Sequence, residues 1–141
     1  MSATKLNGKI TTFNVCNQRI FVLKSNSNME ITSIDCRDYK AEQIMTLLFD
    51  IHPELQNSKR KRKYVYIGVT NDINRRAREH NISIEEIIFY AQTAAQWVAA
   101  KVEEIAHEQG FKIGDVKYGG CGTNSDSIYV YAYVITRESK Q

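Results

Sequence analysis

With 141 residues, 43% of them hydrophobic and 25% charged, the chain has the make-up of one globular domain with a real core and is too short for two. Its formal net charge of +3 is mild, so local clustering of charge says more than the total. No apolar run reaches membrane-spanning length, and Cys16, Cys36 and Cys121 are odd in number, widely spaced and without a CxxC pair. They read as reduced thiols in an intracellular chain, cytoplasmic or nuclear, and not as a disulfide frame or a zinc site.

Residues 10–34 read as β structure. Ile10–Val15 and Ile20–Leu23 are short apolar runs that can pair across Asn17-Gln18, and Met29–Ile34 alternates after the turn residues Ser25–Asn28. A helix follows from about Asp38, with Ile44, Leu47, Leu48 and Ile51 at helical spacing, and Pro53 ends it. Then comes a run of five cations, Lys59, Arg60, Lys61, Arg62 and Lys63. It is either a solvated loop, a phosphate contact or a nuclear-import signal.

The strand Tyr64-Val65-Tyr66-Ile67-Gly68 follows directly, with Tyr64 and Tyr66 on one face. A helix pattern comes next, capped by Asn71 or Thr70, with Asp72 in its first turn. Ile73 and Ala77 form its apolar stripe, and Arg76 and His80, four apart, share the neighbouring face. A tyrosine, an arginine and a histidine can therefore converge at the strand's carboxyl end.

Two readings compete after His80. Ser83-Ile84-Glu85-Glu86 is a capping box, whereas Ile87-Ile88-Phe89-Tyr90 is a dense β-branched and aromatic run, and Thr93–Gln96 offers a second box. The assignment adopted is a strand near 86–91 and a helix from about 94 to 109, ended by Gly110. Ala94, Ala95, Val98, Val102 and Ile105 make its core stripe, with Trp97 in the core or on a partly buried platform. Glu103 shares a side with Ala99 and Ala106, while Glu104 faces solvent. Lys117–Asn124 is glycine-rich, either a flexible turn or backbone for phosphate. Ser127–Ile135 is a last strand with three tyrosines, Tyr129, Tyr131 and Tyr133, on one face, which suggests a groove.

Tyr66-Ile67-Gly68, Thr70, Asp72-Ile73, then Arg76 and His80, resemble the second half of the GIY-YIG nuclease motif in register. Ala99 and Glu103 resemble that family's alanine-then-glutamate pattern. The resemblance implies an α+β fold, a small antiparallel or mixed sheet flanked by helices. The GIY-YIG-like core would span 63–136 and an N-terminal β-hairpin and helix unit 10–52, within a single domain of residues 1–141. It further implies a metal-dependent endonuclease that hydrolyses DNA phosphodiesters, RNA remaining open, with Mg²⁺ or Mn²⁺ on Glu103. Arg76 would pair with phosphate, Tyr66 or a partner tyrosine would position or deprotonate water, and His80 would orient a tyrosine or act as acid or base. Lys59–Lys63 and Arg75 would contact the nucleic acid.

The family's first tyrosine strand is not at its usual place, since residues 51–57 lack strand character. Either Arg19–Val22 replaces it, where Phe21 lacks a hydroxyl, or the C-terminal strand does, with Tyr129 or Tyr131 restoring one. The second is preferred. The alternatives in function are a nucleic-acid-binding module that has lost cleavage and a protein-interaction domain. A second copy of the chain is a further candidate partner, which would make a homodimer.

Overall fold

The computed structural model describes residues 31–114 and 126–141 in full, together with the strand backbone at 4–5, 9–15 and 18–24. Cys16, Cys121 and the glycine-rich stretch at 117–124 lie outside the described residues.

Near the N-terminus, β1 (Thr4–Lys5), β2 (Lys9–Val15) and β3 (Gln18–Lys24) form a three-stranded antiparallel sheet. The β2–β3 pair is the hairpin expected from the two apolar runs, in a register that sets Phe13 opposite Ile20. The longer strand expected at Met29–Ile34 is not formed at 31–33. Only β4 (Ile34–Asp35) is a strand, paired in parallel with Ala91 and Gln92. Asp35 stops it. Its carboxylate accepts from the Arg37 backbone N–H at 3.1 Å and from the Arg37 guanidinium at 2.9 Å, which turns the chain away.

Helix α1 (Ala41–Ile51) starts three residues later than expected, because Gln43 Oε1 accepts the Lys40 backbone N–H at 2.8 Å and fixes the first turn there. Ile44, Met45, Leu47, Leu48 and Phe49 are its buried stripe. Pro53 ends α1, as expected, and also opens α2 (Pro53–Asn57) from its first position, where its missing N–H has no intrahelical partner to lose. The cationic run is not a loop. It forms a helical turn, α3 (Lys59–Arg62), started by the Ser58 hydroxyl accepting from Lys61 N at 3.2 Å.

The remaining elements are β5 (Val65–Thr70), α4 (Ile73–Glu79), a 3-10 turn at Ile84–Glu86, β6 (Ile87–Gln92), α5 (Gln96–Glu108) and β7 (Tyr129–Val134). The competition after His80 resolves as the assignment adopted, with the Ser83 box capping only the 3-10 turn and strand β6 following. The second box does not form. The Thr93 hydroxyl instead donates to the Ile128 carbonyl at 2.7 Å and ties the start of α5 to the strand that follows.

The main sheet is mixed, in the order β4-β6-β7-β5, with β7 antiparallel to both neighbours. Strand alternation gives it two covered faces. On one, Val65, Ile67, Val69, Phe89, Ala91, Val130 and Ala132 pack against α1 and α5. On the other, Tyr66, Tyr131 and Tyr133 pack with Ile73 and Ala77 of α4 and with Ile82, Ile84 and Ile87. A register shift between Ile87 and Phe89 lets these two residues serve opposite layers. The architecture is therefore α+β, a four-stranded mixed sheet between helical layers. No helix among the described residues is long and apolar enough to cross a membrane.

Candidate functional site

The site grows from Gly68. In β5 it faces Tyr131 of β7, and a side-chain carbon at that position would stand 2.5 Å from the Tyr131 hydroxyl oxygen. With only hydrogen there, the Tyr131 ring can lie across the strand and carry its hydroxyl toward α4. That hydroxyl sits 2.6 Å from His80 Nε2.

Helix α4 holds the other partners. Its cap is Asp72 itself, and not Asn71 or Thr70: Asp72 Oδ1 accepts from Arg75 N at 3.1 Å, and the Thr70 hydroxyl accepts the Asp72 N–H at 2.9 Å. Ile73 and Ala77 are buried as the apolar stripe requires. Arg76 and His80 then face the tyrosines. The Tyr66 ring lies 4.7 Å from the His80 ring and 5.2 Å from Tyr133, centroid to centroid.

His80 is 4% exposed and both its ring nitrogens are engaged. Nδ1 meets the Lys140 carbonyl, which can only accept, so Nδ1 carries the proton. Nε2 is then an acceptor and takes the Tyr131 hydroxyl hydrogen. Burial holds the imidazole below its usual pKa, and the nearby Arg76 adds to this against the opposing pull of the Lys140 carbonyl and Glu79. A neutral ring with its lone pair on a phenol has the form of a general base with its proton donor in place.

Arg76 is the charged member. Its Nη1 donates to Glu79 Oε1 at 2.8 Å, and its charge acts on the Tyr131 phenol, while its buried Nε has no hydrogen-bond partner among the described residues. Burial works against its charge, but Tyr131, Glu79 and Tyr66 more than offset that, and its pKa moves up. Burial drives the Tyr131 and Tyr133 phenols well above the usual tyrosine range, so both are neutral donors at pH 7.

Of the residues singled out in the sequence, the structure brings Tyr66, Arg76 and His80 together, and adds Tyr131. Tyr129 is not among them. It lies half-buried opposite Thr70 and stacks on Tyr90 at 5.4 Å, two pairs further along the strand. Tyr133 and the Lys140 carbonyl were not anticipated; the Tyr133 hydroxyl lies 3.0 Å from His80 Nδ1 and donates to that carbonyl at 3.1 Å. Tyr133 could have been found from the alternation of β7. The carbonyl could not, because it belongs to a polar tail with no periodic signal.

Glu103 is buried on α5 with Ala99 and Ala106, as the spacing requires, while Glu104 is half-buried and pairs with Lys101 at 2.5 Å. Helix α5 covers the sheet face opposite to α4, and Glu103 is not among the groups that set the proton affinity of His80 or Tyr133. Among the described residues no three His, Cys, Asp or Glu side chains gather as a metal site, so a divalent ion would rest on few protein carboxylates. Trp97 is 71% exposed, neither core nor partly buried, because α5 begins at Gln96 and turns Val98, Ala99 and Val102 inward.

The cations divide. Lys59, Arg60, Lys61 and Lys63 are exposed, whereas Arg62 is half-buried with its guanidinium carbon 5.9 Å from the Phe49 ring centre. None of the five forms an ion pair among the described residues. Arg75 is exposed but held, 3.1 Å from Asn71 Oδ1 and 3.6 Å from Glu79.

Comparison with family models, with curated proteins and with solved structures returned no match.

Proposed function

We propose that this chain is a GIY-YIG-like endonuclease that hydrolyses nucleic-acid phosphodiesters, DNA in the first place. The observation that carries the reading is the Tyr131 hydroxyl, which sits 2.6 Å from His80 Nε2 with the Tyr66 ring packed on His80 and Arg76 one turn back on the same helix. On this reading a tyrosine from a later strand takes the part that the motif gives to one from an earlier strand.

Each residue of the cluster has a task its chemistry suits. Arg76 supplies a guanidinium for phosphate oxygens, a group that Glu79 holds through Nη1. His80 can accept the Tyr131 proton through Nε2 as Tyr131 takes one from the attacking water, so that the phenol ends neutral and the water's oxygen is freed to attack phosphorus. The Lys140 carbonyl keeps His80 in the tautomer that can accept. Tyr66 packs against His80 and fixes its plane. Glu103 has the donor type a hard divalent ion takes, but it is buried on the sheet face opposite to Tyr131, His80 and Arg76, so an ion held on it does not fit a phosphate bound at those residues. The exposed cations of α3 would hold the flanking backbone.

A second reading is favoured by one specific observation. His80, Tyr131 and Tyr133 are nearly sealed from solvent and bonded to one another, as in a structural hydrogen-bonded core. On this reading the chain is a nucleic-acid-binding module on the same scaffold, without cleavage. Nicking of supercoiled plasmid with Mg²⁺ or Mn²⁺, beside Arg76→Ala and Glu103→Gln, separates the two. Metal-dependent nicking lost in Arg76→Ala and kept in Glu103→Gln, with folding and gel shift retained, upholds the endonuclease and leaves Glu103 outside its site. A salt-sensitive gel shift with no nicking by the parent chain leaves the binding module.

A further inference from the structure

Tyr64 stands apart from the other tyrosines near the sheet. Its ring is 59% exposed, although its backbone is fixed on both sides. Its N–H donates to the Lys61 carbonyl at 3.1 Å, and its carbonyl accepts the Ile135 N–H at 2.7 Å. It therefore presents an aromatic face from a rigid position, at the junction of α3 and β5. Exposure of a large ring on a pinned backbone has no packing explanation here.

The surroundings are cationic. Lys59, Arg60, Lys61 and Lys63 precede it and are exposed. Lys112 joins them from another part of the chain, because its N–H donates to the Val65 carbonyl at 3.0 Å and its carbonyl accepts from Ile67 N at 2.9 Å. Lys112 is exposed and is paired with no carboxylate among the described residues. An exposed flat ring beside cations that have no ion pair among the described residues, adjacent in the chain or through the backbone at the start of β5, matches a ligand with flat apolar faces and regularly spaced anions.

We infer that Tyr64, with Lys59, Arg60, Lys61, Lys63 and Lys112, is a binding platform for single-stranded nucleic acid, an unpaired base stacking on Tyr64 while the cations hold the adjoining phosphates. Intact duplex has its base faces occupied by neighbouring pairs, so only an unpaired stretch or end can use the ring. This deepens the nucleic-acid reading and rests on it for the class of ligand. It is independent of cleavage, since none of these residues belongs to the Tyr131–His80–Arg76 cluster.

The test is fluorescence anisotropy without divalent ions. Labelled oligo-dT and oligo-rU of about twelve nucleotides, and a blunt duplex of the same length, are titrated with the full chain, Tyr64→Ala and Tyr64→Phe. The expected result is tighter binding of the single strands than of the duplex. Tyr64→Ala should weaken single-strand binding about 10-fold with little change on duplex, and Tyr64→Phe should restore it. Comparison of dT with rU then assigns DNA or RNA. Equal single-strand affinity of the parent chain and Tyr64→Ala overturns the platform while duplex binding keeps the nucleic-acid reading. Binding to none of the three ligands overturns both.

Discussion

Gly68 determines more of the site than any charged residue does. The Tyr131 ring that crosses it is fully buried and hydrogen-bonded to His80, so it cannot swing aside to admit a methyl group. Gly68→Ala is expected to lower stability by about 1–3 kcal/mol, the usual cost of overpacking, and to break the Tyr131–His80 contact. Urea denaturation measures the first effect; a normal midpoint would show that Tyr131 does not lie where described. His80 provides a pH test at the same scale. Its folded pKa lies below the unfolded value of about 6.5, so below that pH the unfolded chain binds the proton more readily than the folded one. Stability contributed by the neutral ring is complete above about pH 6.5 and is lost as pH falls through the folded pKa. Midpoints between pH 7.5 and 5 should fall more steeply for the parent chain than for His80→Gln, about that range being above the carboxylates. Equal slopes would remove His80 as the cause. The convergence of Tyr66, Arg76 and His80 was legible because strand alternation fixes the face of Tyr66 and helical periodicity puts Arg76 and His80 on one face. The choice of Tyr131 over Tyr129 was not. Both lie on the same face of β7, and only the register against β5 decides which one meets Gly68.

At the scale of the element, helix α4 is short and depends on its first turn. Asp72 caps it through Arg75 N, and Thr70 in turn holds the Asp72 N–H, so the helix is aimed from the end of β5. Asp72→Ala should cost about 1 kcal/mol in denaturant, and Asp72→Asn, an equally good cap, should recover most of it. If the endonuclease reading holds, Asp72→Ala should also slow nicking, because Arg76 and His80 ride on the helix it starts. A stable but inactive Asp72→Asn would argue against a cap and for a role of the carboxylate itself. Elements with strong periodicity, such as α1 and β5, were readable in the sequence. Two others were not. The strand expected from the alternation at 29–34 shortened to Ile34–Asp35, because pairing exists only where β6 offers an edge and Arg37 draws the Asp35 side chain into a turn. The cationic run became helical because the Ser58 hydroxyl caps its backbone, which a count of charges does not register.

For the molecule as a whole, a net charge of +3 over 141 residues gives a weak overall field. What a polyanion meets is the local field of α3 and its neighbours, where the cations are exposed and unpaired among the described residues. The division of labour in the fold keeps that surface apart from the core. The layers that hold the sheet are formed by the two apolar clusters, and of the α3 cations only Arg62, lying over Phe49, takes part in packing. Replacing Lys59, Arg60, Lys61 and Lys63 together with alanine should therefore leave the thermal midpoint nearly unchanged, surface changes of this kind being worth within about 0.5 kcal/mol each. The same variant should bind nucleic acid more weakly at low salt. Each phosphate contact contributes about 0.9 to the slope of log K against log salt on duplex and about 0.7 on single strands, so the slope should flatten by up to about 3. A slope that stays the same while affinity drops would mean these lysines act through the fold and not through phosphate. A slope and affinity both unchanged would place the nucleic-acid surface elsewhere on the molecule. Arg62→Ala is the internal control for this separation: it should lower the thermal midpoint through lost contact with Phe49 and change the salt slope least of the five.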